Sequence, residues 1–140
     1  MAVEAIEQYL RDAEPEPAQS QLLLRGSPLS IEKFVAHAAR TARAYTYDDL
    51  PCAGISVELS RSAADTARLL QGRRLSTRRW VARIRVADAV VHGFVLLPTF
   101  SAPHYTVVVG RSPSATVEEL AALAARDIIA NPYYQTGKEV

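Results

Sequence analysis

The sequence predicts an α+β domain, in which a mainly antiparallel sheet of about five strands carries helices packed on one face. The strongest strand signals lie in residues 77–109, where apolar and charged residues alternate from Trp80 to Val86 and two further apolar runs follow. Helical signals flank this stretch, since apolar residues recur at helical spacing behind capping residues at Ser30 and Thr116. Strands joined by a tight reversal must be antiparallel, which sets the fold class.

Residues 1–19 predict an appendage to this domain. Val3, Ile6 and Leu10 favour a short helix up to Arg11, and the prolines within 13–19 favour a linker. The chain therefore divides into an N-terminal helix with a proline-containing linker (1–19), a single α+β domain (20–132) and a polar tail (133–140).

The remaining elements follow in chain order. Gln21 to Arg25 reads as a strand because its leucine run is short and sharply bounded, and Ser30 caps a helix that ends near Ala44. Trp80, Ile84 and Val86 are expected beneath the helices at 31–43 and 117–129. The other predictions are a strand at 55–59, a helix at 62–70, adjacent antiparallel strands at 79–86 and 90–97 with a reversal at Ala87-Asp88-Ala89, a strand at 105–109, and a helix from Thr116 that ends before Asn131-Pro132.

The composition is that of an ordinary globular protein, with 49% hydrophobic and 22% charged residues in a chain of 140. No apolar run approaches the roughly 20 residues that span a bilayer, and the acidic N-terminus lacks the basic and apolar regions of a signal peptide. We therefore expect a cytoplasmic protein with no membrane partner. Cys52 is the one cysteine, which excludes an internal disulfide and a multi-cysteine metal site; neither a metal nor another cofactor is expected.

Basic charge is concentrated between residues 60 and 90, where eight arginines stand against two aspartates. Guanidinium groups form bidentate pairs with phosphate or carboxylate groups. One interpretation is a sheet face that binds RNA, and the other is a solvated face paired with the acidic N-terminal segment. We predict Arg79, Arg83 and Arg85 as substrate-binding residues, because the strand alternation directs Arg83 and Arg85 away from the core.

The histidines supply the candidate chemistry. His104 and Thr106 share one face of a strand that follows the proline-bounded loop 98–103, so an imidazole and a hydroxyl lie side by side. This His-x-Thr segment resembles one half of the signature of two-histidine phosphoesterases, a family that needs two such motifs facing each other. His92 lacks the accompanying hydroxyl. The alternative role for His104 is to cap the loop by a hydrogen bond to its backbone.

A second histidine close to His104 would extend this chemistry. If the last two strands are adjacent, His92 lies near His104. Two imidazoles and an arginine suffice for ribonuclease-type transphosphorylation, in which one group takes the 2′-hydroxyl proton, another protonates the leaving oxygen and a cation stabilises the charge. We therefore predict His104, Thr106 and His92 as catalytic residues.

One further dipeptide is noteworthy. Arg25-Gly26, at the end of a predicted strand, resembles the opening Arg-Gly of some ADP-ribosyltransferases, although the serine-rich motif and the acidic strand of those enzymes are not recognisable downstream. No Gly-rich phosphate loop or metal-ligand spacing is present in the sequence.

The leading hypothesis is a small cytoplasmic RNA-acting protein, in its finer form a toxin-type ribonuclease or phosphodiesterase that a partner protein controls. Its rival is a non-catalytic protein-interaction module, such as one subunit of a two-protein system, that uses its arginine-rich sheet face. A phosphoesterase acting on a small nucleotide is a third hypothesis. The partners to test are thus RNA, an acidic protein and a second copy of the chain in a homodimer.

Overall fold

The computed structural model describes residues 3–12 and 15–135. Its main feature is a six-stranded sheet in the order β7-β8-β5-β2-β6-β9, in which each strand is antiparallel to its neighbours. This arrangement confirms the predicted α+β class. The strands are β2 (Leu22–Gly26), β5 (Gly54–Ser60), β6 (Trp80–Arg85), β7 (Val95–Pro98), β8 (His104–Val108) and β9 (Ile128–Ala130).

Helices connect these strands and begin where the sequence offers caps. Ser30, Ser62 and Thr116 each accept a hydrogen bond from the backbone three residues onward, as a capping side chain does. The helices are α1 (Ile31–Ala44), α2 (Ala63–Gln71), α3 (Val86–Val91) and α4 (Val117–Ala125).

The N-terminal segment differs from the prediction. Instead of a helix over 3–11, the chain forms β1 (Glu4–Ala5), a short 3-10 helix (Ile6–Tyr9) and an isolated bridge from Leu10 to Thr99. The segment is tied down because Ile6 is fully buried and β1 pairs with β3 (Tyr45–Tyr47), which in turn pairs with β4 (Leu50–Pro51). Residues 13–14 of the predicted linker and 136–140 of the predicted tail lie outside the described residues.

The predicted pairing of 79–86 with 90–97 is wrong. Helix α3 occupies the expected reversal at Ala87-Asp88-Ala89, and β6 pairs with β2 and β9 while β7 pairs with β8. The almost continuously apolar run from Val90 is compatible with both a strand and a buried helix segment. The chain leaves α3 at Gly93, whose φ of 83° is readily adopted only by glycine.

The main core lies between the sheet and helices α1, α3 and α4. Ile84 and Val86 are buried there as predicted, together with Leu23, Phe34 and Leu120. Trp80 is a correction: it is 47% exposed at the start of β6, where its neighbour is the short edge strand β9. These helices therefore cover the face that carries the odd-numbered residues of β2.

The opposite face of the sheet is also covered. Leu24 and Val81 pack there against Leu69 and Leu70 of α2 and against Leu75, which lies in the segment that leads back to the sheet. This second cluster brings residues 72–78 over β2 and β5, and the candidate site forms beside it. No helix among the described residues has the length and apolar character needed to cross a bilayer.

Candidate functional site

A partial separation of β5 from β2 creates the site. The two strands pair only along 22–24 and 58–60, so the first half of β5 lacks a strand partner on that side. Side chains supply the hydrogen bonds instead. The Arg25 guanidinium donates to the Ser56 carbonyl oxygen at 2.9 Å, and the Ser56 N–H donates to Nε2 of His37 at 3.4 Å. Helix α1 is thereby fixed along the open part of β5.

Beside this opening is a cavity of about 890 Å³ whose lining is strongly basic. It lies between the end of β2, the middle of β5, helix α1 and residues 73–78. Among the described residues that line it, Glu58 is the single carboxylate. We call it the basic cleft, and its cationic side chains are Arg25, Lys33, Arg40, Arg73, Arg74 and Arg78.

Arg25 is the most enclosed of these cations. Its guanidinium lies 5.8 Å from the ring centroid of Phe34, and its Nε is buried without a hydrogen-bond partner among the described residues. Burial, followed by the charges of Arg78 and Arg40, lowers the pKa of Arg25 to about 10. The group stays charged at neutral pH, so three like charges converge here and an anion would offset their repulsion.

Gly26 explains how Arg78 enters the cleft. A Cβ at Gly26 would lie 2.5 Å from Cγ of Arg78, so the arginine stem crosses β2 where no side chain stands. The Arg78 guanidinium then donates to the Ser27 carbonyl oxygen at 3.0 Å. The Arg-Gly dipeptide thus has a local structural role: Arg25 supplies one cation and Gly26 admits another.

Glu58 opposes these charges from β5. It is 7% exposed, and its Oε1 accepts a hydrogen bond from Arg74 at 3.0 Å, whereas its Oε2 is buried and has no hydrogen-bond partner in the part of the chain that the structure describes. Burial raises the pKa of Glu58, and the hydrogen bond and charge of Arg74 oppose that rise. His104 lies directly opposite Glu58 in the register of β5 and β8.

His104 lines the basic cleft and also ties down the preceding loop. It is 8% exposed, and its Nδ1 lies 3.2 Å from the carbonyl oxygen and 3.0 Å from the hydroxyl of Thr99. Burial, followed by the charge of Arg74, lowers the pKa of His104 to about 4. The imidazole is therefore neutral at physiological pH, and the contact with Thr99 corresponds to the loop-capping alternative.

The other predicted catalytic residues do not join His104 in the cleft. Thr106 is buried and its hydroxyl lies 2.7 Å from that of Thr99, away from the cleft lining. His92 ends α3, where its Nδ1 lies 3.6 Å from a carboxylate oxygen of Glu119 in α4. His104 is on the face of the sheet that α2 covers, whereas α3 and α4 cover the other face. The sheet therefore separates His92 from His104.

The predicted substrate-binding arginines lie outside the cleft. Arg83 forms two hydrogen bonds of 3.0 Å with the carboxylate of Asp127, Arg79 stacks over the ring of Tyr134, and Arg85 is exposed at the end of β6. Their roles in substrate binding stay a prediction, but they do not converge on the cavity.

Apart from His104, the residues that converge on the cleft were not among the predicted site residues. One of them is His37, whose pKa is lowered to about 4 by burial and then by the charges of Arg25 and Arg40. One signal was available. Glu58 is the one charged residue of β5, and a carboxylate at a buried strand position is rare unless it is paired or used.

No family model matches the chain, and no curated protein or solved structure is significantly similar to it. The candidate function therefore rests on the physical character of the basic cleft.

Proposed function

We propose that this chain is a cytoplasmic RNA-acting protein that holds the phosphates of single-stranded RNA in the basic cleft. The observation that carries the proposal is the charge of the lining, where six cationic side chains stand against the single carboxylate Glu58. Arg74 already contacts that carboxylate, so most of the positive charge has no counter-charge in the lining. Arginine clusters of this kind bind phosphate strongly.

The residue types that line the basic cleft also determine which parts of RNA it would contact. The described residues that line the cleft include no phenylalanine, tyrosine or tryptophan, so base stacking on aromatic rings is not its main resource. Binding should therefore depend on phosphate contacts, with steep salt dependence and weak preference for base sequence.

Cleavage of the bound RNA is the finer form of the proposal, in which the protein is a toxin-type ribonuclease controlled by a partner. A general acid near neutral pH needs a protonated group, and a histidine with a pKa of about 4 is mostly unprotonated there. The neutral imidazole of His104 can accept a proton, for example from a 2′-hydroxyl. The geometry thus supports binding more directly than cleavage.

The test is titration of a labelled single-stranded oligouridylate at two ionic strengths. Each phosphate contact contributes about −0.7 to the slope of log affinity against log salt. Replacing Arg73 and Arg78 together with glutamine should therefore flatten the slope by about 1 to 1.5 units. The matched control replaces Arg79 and Arg85, which lie outside the cleft, and should leave the slope unchanged.

Some results would overturn the proposal, and one would establish its finer form. Absence of binding at the lower ionic strength would refute it, and capture of a polyglutamate peptide under those conditions would favour the protein-interaction module instead. A slope that changes in the Arg79 and Arg85 control, but not in the cleft variant, would move the binding surface to the sheet edge. Cleavage of the RNA by the wild type, lost in His104→Ala, would establish the ribonuclease.

A further inference from the structure

One of the two carboxylate oxygens of Glu58 accepts no hydrogen bond from the described residues. Its side chain is 9% exposed, Oε1 accepts a hydrogen bond from Arg74, and Oε2 is buried with no donor among the described residues. Buried acceptors in folded proteins almost always have a donor, so each exception calls for an explanation. Because Glu58 lines the basic cleft, a bound ligand can supply that donor.

The kind of ligand group that could donate a hydrogen bond to Oε2 of Glu58 follows from the chemistry of nucleic acids. Phosphodiester groups carry no hydrogen-bond donor, so they can occupy the arginines but cannot satisfy Oε2 of Glu58. In a nucleic acid, the sugar next to each phosphate does carry one when the strand is RNA, namely the 2′-hydroxyl. We propose that Oε2 of Glu58 accepts a hydrogen bond from a ribose 2′-hydroxyl, so that the basic cleft selects RNA over DNA; this inference rests on the proposed function.

The charge of Glu58 supports a role in selection. A carboxylate in a site for phosphates repels the ligand, so it weakens binding of every polyanion by the same mechanism. A ribose strand recovers part of that loss through the hydrogen bond to Oε2, whereas a deoxyribose strand leaves the acceptor buried and unpaired. Sites built to receive a hydroxyl reject the analogue that lacks it for this reason.

Three oligonucleotides of identical base sequence test the idea on the wild-type protein. They are an oligouridylate, its 2′-deoxy analogue and its 2′-O-methyl analogue, which keeps the oxygen but lacks the donor hydrogen. We expect the ribose oligomer to bind about 10-fold or more tightly than the 2′-deoxy oligomer, the range for one satisfied buried hydrogen bond. The 2′-O-methyl oligomer should bind no better than the 2′-deoxy oligomer.

Variants then assign the preference to Glu58. In Glu58→Leu, the ribose preference should fall to about 1-fold, while affinity for the 2′-deoxy oligomer is unchanged or higher because the repulsive charge is gone. Glu58→Met has a similar side-chain length without a carboxylate or amide oxygen to accept the hydrogen bond, and it serves as the second variant if the leucine variant does not fold. Asp127→Asn is the matched control, since it alters a carboxylate that is paired with Arg83 outside the cleft, and it should keep the full preference.

The outcomes separate this inference from the proposed function. Equal affinity of the wild type for ribose and 2′-deoxy oligomers would overturn the inference and leave RNA binding intact. A ribose preference that persists in both Glu58 variants would overturn the assignment to Glu58. Binding of none of the oligomers at low salt would overturn the proposed function itself.

Discussion

Acidification should destabilise the folded protein, because two histidines of the basic cleft are held neutral. His104 and His37 each have a pKa of about 4 in the folded state, lowered first by burial and then by nearby arginine charges. In the unfolded chain, a histidine titrates near 6.5. Between these two values the unfolded state binds more protons than the folded state, so the free energy of unfolding falls as the pH is lowered.

The size of the effect follows from those pKa values. On going from about pH 7 to about pH 5, preferential protonation of the unfolded chain costs about 2 kcal/mol for a histidine as buried as His104. His37 is more exposed to solvent, which screens its charge and reduces its contribution. Protonation of both histidines in the unfolded chain should therefore cost about 3 kcal/mol of stability in total. Glu58 acts with the opposite sign: burial raises its pKa in the folded state, so its protonation favours folding as the pH falls.

The assay is urea unfolding of the wild type and His104→Gln between about pH 7 and pH 5. Because both proteins contain Glu58, the difference between their pH profiles isolates His104. The loss of stability in that window should be smaller by about 2 kcal/mol in His104→Gln than in the wild type. His92→Gln is the control, and it should retain the steep loss because both histidines of the cleft remain.

A clear result would refute this reasoning. If His104→Gln shows the same pH dependence as the wild type, the His104 imidazole is not held neutral in the folded protein. In that case it would also be available as an imidazolium near neutral pH, and the case for general acid catalysis in the cleft would be stronger.

Two further predictions concern the core and the cleft. Ile84→Ala should reduce the free energy of unfolding by about 2–5 kcal/mol because Ile84 is 2% exposed. Val91→Ala is the control: Val91 is 82% exposed, so its substitution should change the free energy of unfolding by less than about 0.5 kcal/mol. Urea titration measures both, and a small loss for Ile84→Ala would contradict the assigned core. Gly26→Ala should displace Arg78 and flatten the salt dependence of RNA binding by about 0.7, the value of one phosphate contact, and combining it with Arg78→Gln should add nothing further. A full additional loss in the double variant would show that Gly26 acts independently of Arg78.

The features that could be predicted from sequence are those fixed by local rules. Ser30 and Thr116 cap helices as their side chains predict, and the alternation around Ile84 places that residue in the core. Each inference depended on a few neighbouring residues whose periodicity or hydrogen-bonding chemistry has one main outcome. The α+β class followed from the combination of these local signals.

The strand order could not be predicted in the same way. The run from Val90 to Leu97 is apolar except at His92 and Gly93, so its periodicity does not distinguish a helix end from a strand, and it contains both. Once α3 takes the place of the expected reversal, β6 and β7 are no longer joined by a tight turn. Their separation to different parts of the sheet is a long-range outcome. His92 is apart from His104 for another reason: it lies at the end of α3 and not in β7, the strand that does pair with β8.

The site was missed for a related reason. The prediction assumed that the face carrying Arg83 is open to solvent, whereas α2 and residues 72–78 cover that side of β2. Arg83 therefore pairs with Asp127, and the arginines that reach the cavity come from the end of β2, from α1 and from the covering segment. The arginine content of the sequence does not say which arginines converge, because only the tertiary arrangement decides that.

Unbalanced charge links the cleft's pH response to its ligand binding. Arg74 contributes to the lowered pKa of His104, and Arg25 contributes to that of His37, so the cations that attract phosphate also disfavour protonation of the imidazoles. A bound phosphate would offset part of that repulsion. By linkage, phosphate binding and histidine protonation should therefore favour each other, since each lowers the electrostatic cost of the other. The unbalanced arginine charges that lower the stability of the folded protein are thus the same ones that favour an anionic ligand.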